Sequence, residues 1–111
     1  AGACIPALIR ARSKIDNMCT IGHNAQVGKG VIMVGMSGFA GSSIVGDYCV
    51  FAGRTATAPD TEIGAGSMVG AGAMMTTNWP AGSKISGHPA RNHSEWLKSQ
   101  AVLRKLTEGK K

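Results

Sequence analysis

The sequence predicts an all-β fold, a left-handed parallel β-helix of hexapeptide repeats followed by a short C-terminal α-helix. Three observations predict it. Every sixth residue from Ile9 (Ile15, Ile21, Val27, Met33, Phe39, Val45, Phe51, Thr57, Ile63, Val69 and Met75) is apolar except Thr57. Four places into each hexad runs a second column of Ser13, Cys19, Ala25, Val31, Ser37, Ser43, Cys49, Thr55, Thr61, Ser67 and Ala73, all small. One bulky and one small residue per six marks a hexapeptide β-helix, in which each repeat buries its apolar side by stacking. The third observation is composition: 16 glycines and only 5% aromatic residues suit tight coils with many corners better than a sandwich core.

Each hexad supplies one short strand and one corner, so three hexads close a triangular coil. Residues 9 to 78 then make about four coils without an inserted loop. Parallel crossovers are normally right-handed; left-handedness is taken from the hexapeptide class, a known exception. Side chains alternate along a strand, so both columns point inward and the residue between them points out. The outward residues sort into three faces: Lys14, Ile32, Val50 and Met68; Thr20, Gly38, Ala56 and Met74; Gln26, Ile44 and Glu62. The first is an apolar stripe that soluble monomers rarely expose, which we read as a subunit interface around a threefold axis. The second is a trough of small residues closed at one end by Met74. It suits an acyl chain and equally well tight packing against a neighbour.

The rhythm breaks at Asn78-Trp79-Pro80-Ala81-Gly82, and residues 84–90 read as a turn-rich hairpin that leaves the prism. A helix follows, with Asn92 as cap and Glu95 in capping-box position. Trp96, Leu103 and Leu106 give it an apolar side and Lys98, Arg104 and Lys105 a basic one. Three copies of it could pack together at the end of a trimeric prism. Gly109-Lys110-Lys111 reads as a frayed end. We therefore divide the chain into a β-helix, residues 1–78, and a hairpin with the C-terminal helix, residues 79–111. The chain opens without Met and already inside the rhythm, since Ala3 and Ala7 fit the two columns, so a fragment or processed form is expected.

Charge and cysteine usage narrow the functional classes. The net charge is +6, but residues before Lys84 carry five basic and four acidic groups, and those from Lys84 onward seven and two. The tail's +5 suits an acidic partner and equally a solvated helix face. Nucleic acid is not expected, because no aromatic platform accompanies the charge. No apolar run approaches the ~20 residues of a membrane helix. Cys4, Cys19 and Cys49 form no CxxC pair, which speaks against zinc or a disulfide framework and for small core residues in a reducing cytoplasm.

His23 stands alone among the histidines inside the repeat, pointing out near a corner. Its column continues with Ile5 one coil before, Gly41 one coil after and Pro59 two after. Glycine leaves room for a substrate and lets its N–H approach an oxyanion, while imidazole suits a general base near neutrality. A surface histidine at a turn fits the same pattern. In the next column Asn24 is followed by Ser42 and Asp60. Asp60 would lie about 10 Å from Asn24, too far to orient His23. Asp16 and Asn17 at the preceding corner read as turn residues needing left-handed backbone. His23, His88 and His93 match no metal-ligand spacing, and no metal site is expected.

The run Lys14-Ile15-Asp16-Asn17, then Ile21-Gly22-His23-Asn24, Gly35 through Gly41 and Gly46-Asp47-Tyr48-Cys49 resembles the UDP-3-O-acylglucosamine N-acyltransferases of lipid A synthesis. So do Ser86-Gly87-His88-Pro89-Ala90 and the Trp96 helix. The resemblance spans nearly the whole chain and implies a homotrimer with active sites between adjacent prisms. It implies transfer of a 3-hydroxyacyl group from acyl carrier protein to the 2-amino group of a UDP-linked acylglucosamine, with no bound cofactor. The donor is then an acyl-phosphopantetheine thioester, or alternatively a coenzyme A thioester. By the same resemblance His23 is the general base and the Gly41 N–H the oxyanion donor. Asn24, Asp16 and Asn17 join the substrate site, Gly38, Ala56 and Met74 hold the acyl chain, and Lys98, Arg104 and Lys105 meet the carrier protein. Two departures stand out: the family's N-terminal uridine-holding domain has no counterpart here, and a second histidine of many members is Asp60. A truncated enzyme, a non-catalytic trimeric scaffold that binds carrier protein, and a coenzyme A-dependent acetyltransferase remain alternatives.

Overall fold

A computed structural model describes residues 6–108; Ala3, Cys4, Ile5 and the Gly109–Lys111 end lie outside the described residues. Twelve two-residue strands follow one another at six-residue intervals. They are β1 (Leu8–Ile9), β2 (Lys14–Ile15), β3 (Thr20–Ile21), β4 (Gln26–Val27), β5 (Ile32–Met33), β6 (Gly38–Phe39), β7 (Ile44–Val45), β8 (Val50–Phe51), β9 (Ala56–Thr57), β10 (Glu62–Ile63), β11 (Met68–Val69) and β12 (Met74–Met75). Then come β13 (Lys84–Ser86), β14 (Arg91–Asn92) and α1 (His93–Glu108). Each of the first nine pairs in parallel with the strand three further on: Leu8 faces Gln26, Lys14 faces Ile32 and Thr20 faces Gly38. Three sheets result, β1-β4-β7-β10, β14-β13-β11-β8-β5-β2 and β12-β9-β6-β3. They are the sides of the left-handed parallel β-helix that the repeat predicts.

The inward columns are the core. Ala25, Val27, Val31, Met33, Phe39, Val45, Cys49, Phe51, Ile63, Val69, Ala73 and Met75 are all at most 3% exposed. The hydroxyls of Ser37, Ser43, Thr55 and Ser67 in the small column are buried too, and each has a partner. Ser37 Oγ, for example, donates to the Ala52 carbonyl at 3.1 Å and accepts from the Thr55 amide at 3.2 Å. A buried hydroxyl without such a bond would cost about 1–3 kcal/mol. Cys49 and Cys19 are unbridged, and burial pushes the Cys49 thiol's pKa up, as suits an inert core residue. Ile9, by contrast, is 44% exposed at the end of the described prism.

The corners correct one sequence reading. Left-handed backbone falls on the second turn residue, at Arg12, Met18, Asn24, Met36, Ser42, Tyr48, Arg54 and Asp60, and not at Asp16 or Asn17. The physical reason is the corner ladder. From Met36 onward each of these residues donates its N–H to the carbonyl of the first turn residue one coil earlier, as Met36 does to Asn17 at 3.2 Å and Tyr48 to Lys29 at 2.9 Å. Stacking thus holds even Met and Arg in a conformation that costs an isolated residue roughly 1–2 kcal/mol.

A second correction concerns residues 84–90, which do not simply leave the prism. Trp79 bridges Ile63, and β13 pairs in parallel with β11, Met68 facing Lys84. The rhythm skips two residues after Met75 and resumes as Trp79 and Ile85, the latter 1% exposed. Only then does the chain turn back, β14 pairing antiparallel with β13. The predicted cap is present: Asn92 Oδ1 accepts the Ser94 and Glu95 amides at 3.0 and 3.4 Å. Glu95 does not complete a capping box, because its carboxylate lies 4.0 Å from the Arg91 guanidinium. Trp96 rests where a Gly87 side chain would stand, whereas Leu97, Val102, Leu103 and Leu106 remain exposed.

Candidate active site

The corner that follows β3, β6 and β9 stacks His23-Asn24, Gly41-Ser42 and Pro59-Asp60 in successive coils. The Ser42 amide donates to the His23 carbonyl at 2.9 Å, and Asn24 Nδ2 donates to Ser42 Oγ at 3.2 Å. His23 is exposed, and its ring lies against the bare Cα of Gly41. A methyl there would stand 2.9 Å from His23 Nε2 and 3.1 Å from Cε1. The imidazole occupies the volume that any other residue at position 41 would fill. Gly22 makes a second close approach, since its missing Cβ would come 2.5 Å from the Gly41 nitrogen. The Gly41 carbonyl accepts the Asp60 amide at 3.1 Å, while its own N–H meets no acceptor among the described residues. An ionisable ring thus sits beside a backbone donor that the fold does not use.

The trough lies on the adjoining sheet. Thr20, Gly38, Ala56 and Met74 are successive register partners. Its Met74 end is closed by the Gly87–Ala90 turn, with the Met74 amide donating to the Gly87 carbonyl at 2.9 Å and the Ala90 amide to the Met74 carbonyl at 2.7 Å. The sequence foresaw Met74 at that end but not the turn over it. The Trp79–Ile85 interval of six was the available signal.

Other predicted site residues are not gathered around His23 within one chain. Asp16 and Asn17 stand at the corner on the opposite side of β3, where Asp16 Oδ1 accepts the Asn17 amide at 2.7 Å. Lys98, Arg104 and Lys105 lie exposed on α1, beyond the last strands. His93 Nδ1 and Ser86 Oγ are 2.7 Å apart, fastening the start of α1 to β13, a pairing that sequence reasoning missed. Among the described residues no cluster of three metal-ligating side chains occurs. The side chains of Val50, Met68, Ser86 and His93 help line a groove of about 430 Å³ on the apolar sheet, away from His23.

No protein-family model matches the chain. Relatives do match along its length. It is 36% identical over 109 residues to the UDP-3-O-acylglucosamine N-acyltransferase of Caulobacter sp. (strain K31), covering 98% of this chain and 32% of that protein. It is 35% identical over 96 residues to the enzyme so named from Campylobacter lari, covering 86% of this chain and 30% of that protein. The chain thus spans about a third of the length of the curated relatives it matches. In structure it is similar to soybean serine acetyltransferase, with a TM-score of 0.70 and 22% identity over 78% of this chain and 40% of that one. It is also similar to a hexapeptide-repeat-containing acetyltransferase from Vibrio cholerae, with a TM-score of 0.57 and 16% identity over 78% and 68%. These two likenesses concern the fold. By sequence the chain is similar, along most of its length, to UDP-3-O-acylglucosamine N-acyltransferases.

Proposed function

We propose that the chain is the acyl-transferring part of an N-acyltransferase that moves a 3-hydroxyacyl group from acyl carrier protein to the 2-amino group of a UDP-linked acylglucosamine. The observation that carries this reading is the His23 ring lying across Gly41, beside a backbone N–H with no partner among the described residues. The substrate amine attacks the thioester carbonyl, forming the C–N bond as the C–S bond breaks. His23 takes the proton from the nitrogen and returns it to the departing phosphopantetheine thiolate. The Gly41 N–H receives the negative charge that develops on the carbonyl oxygen. Gly38, Ala56 and Met74 seat the acyl chain, while Asn24, Asp16 and Asn17 contact the sugar nucleotide. Because Asp16 and Asn17 stand across a strand from His23, a homotrimer in which neighbours complete each site suits the geometry.

The β-helix, residues 1–78, carries the chemistry in this reading, and residues 79–111 meet the donor. No helix of the described residues is long and apolar enough to cross a membrane, and the cytoplasm is the proposed location. The deciding measurement is amide formation by the purified chain given acyl carrier protein thioester and the sugar nucleotide. A parallel arm supplies acetyl-coenzyme A. Turnover with the second donor alone would favour a coenzyme A-dependent acetyltransferase. Carrier-protein binding without turnover would leave a scaffold.

Two expected results belong to this reading. Replacing Gly41 by Ala puts a methyl 2.9 Å from Nε2 and must swing the imidazole aside. We expect turnover to fall by roughly 10²-fold, since small misplacements of reacting groups cost that much. Thermal stability should change little, because the φ of Gly41 is not in the left-handed region. Circular dichroism beside initial rates would separate the two effects. Reversing Lys98, Arg104 and Lys105 to Glu should weaken carrier-protein binding by roughly tenfold at low salt, with the loss shrinking as salt is added.

A further inference from the structure

From Arg10 to Gly70 the residue following each strand donates its N–H to a carbonyl one coil on, with a single exception. Gly22 donates to Phe39 at 2.7 Å, Val34 to Phe51 at 2.9 Å, Gly46 to Ile63 at 2.8 Å and Ala58 to Met75 at 2.8 Å. Ala40 should donate to the Thr57 carbonyl. Its N–H goes instead to the Thr57 side-chain hydroxyl, at 3.1 Å. Thr57 is the one polar member of the bulky inward column and is 3% exposed. Its Oγ1 lies 2.9 Å from Ser43 Oγ, which is in turn 3.3 Å from the Ala58 carbonyl. With Thr57 donating to Ser43 and Ser43 to Ala58, the run from the Ala40 N–H to the Ala58 carbonyl is satisfied at every step. A buried hydroxyl replacing an isoleucine-like side chain lowers hydrophobic stabilisation, so its gain must lie elsewhere.

The Ala40 amide precedes the peptide that matters most. The next N–H is Gly41's, which meets no acceptor among the described residues, and the Ala40 carbonyl of the same peptide accepts the Ser43 amide at 3.3 Å. Gly22 presses on this peptide from one coil, Thr57 holds its preceding amide from another, and the His23 ring lies across its Cα. We propose that Thr57 is a positioning residue: by taking the Ala40 N–H from the ladder carbonyl, its hydroxyl sets where the Gly41 N–H stands relative to His23. Oxyanion donors act only within about 2.7–3.1 Å of the charge they receive, so a small turn of this peptide changes the rate. An apolar side chain at position 57 returns the Ala40 N–H to the ladder and shifts the Gly41 peptide with it. The consequence for turnover rests on the function proposed above; the positioning itself does not.

The test compares the 111-residue chain with its Thr57→Val and Thr57→Ser variants. In amide NMR spectra, Thr57→Val should move the Gly41 amide and the His23 ring resonances, and Thr57→Ser should leave both near their parental positions. Under steady state, Thr57→Val should lose roughly tenfold in kcat with KM unchanged, and Thr57→Ser should recover most of it. The thermal midpoint of Thr57→Val should equal or exceed the parent's, whereas a purely structural role lowers it. Unmoved Gly41 and His23 resonances in Thr57→Val would overturn the proposal whether or not the chain turns over. If the resonances move but kcat holds, while His23→Ala abolishes turnover, Thr57 has no part in the rate. If they move and His23→Ala also leaves turnover intact, the positioning stands and the assigned chemistry falls.

Discussion

Replacing His23 by Ala is expected to lower kcat by roughly 10²–10⁴-fold, the usual contribution of a positioned general base. KM should stay near the parental value, because the ring lies against Gly41 at an exposed corner and packs into no core. Folding should be unaffected for the same reason. The variant's backbone retains the corner ladder, since the bond from the Ser42 amide to the His23 carbonyl needs no side chain. Initial rates with acyl carrier protein thioester, measured beside a melting curve, check both halves. A variant as fast as the parent would remove His23 from the chemistry, and with it the proposed mechanism.

Phe51→Ala should produce the largest loss of stability. Phe51 is fully buried and Phe39 is 2% exposed, with ring centroids 4.7 Å apart and planes inclined by 67°. Their edge-to-face pairing bridges two sheets across the middle coils, so truncation leaves a cavity that neither sheet can close. A cost of about 3–5 kcal/mol follows from similar core truncations. Urea unfolding at matched protein concentration should show a lower midpoint with an unchanged slope. Phe51→Leu should recover much of the loss, because it keeps most of the volume. An Ala variant with the parental midpoint would mean the coils stack without this pair.

The two examples locate the boundary between what sequence and structure each contribute. That Phe39 and Phe51 lie in the core follows from their places in the bulky column. The tail helix and its Asn92 cap were equally readable, since capping is a local affair of three or four residues. His23 could be placed at a corner beside Gly41 by counting, but not the contact itself. Counting gives the coil and the face, whereas the 2.9 Å approach of Nε2 depends on how the Gly41 peptide is turned.

The residues that the rhythm described least well are the ones the tertiary structure used. Thr57 looked like a fault in the column and proves to hold the Ala40 amide. Trp79 looked like the end of the repeat and instead restarts it two residues early, carrying Ile85 into the core. Met18 adopts the left-handed backbone that the neighbouring Asp16 and Asn17 seemed better suited to. Sequence by itself determined the prism, its three faces and the outward place of His23, because a period of six with alternating side chains leaves one way to bury the apolar column. Only the tertiary structure decided which amide takes which acceptor at the Gly41 corner. Those choices lie between residues 17 and 18 apart, and they turn on fractions of an ångström that no repeat encodes.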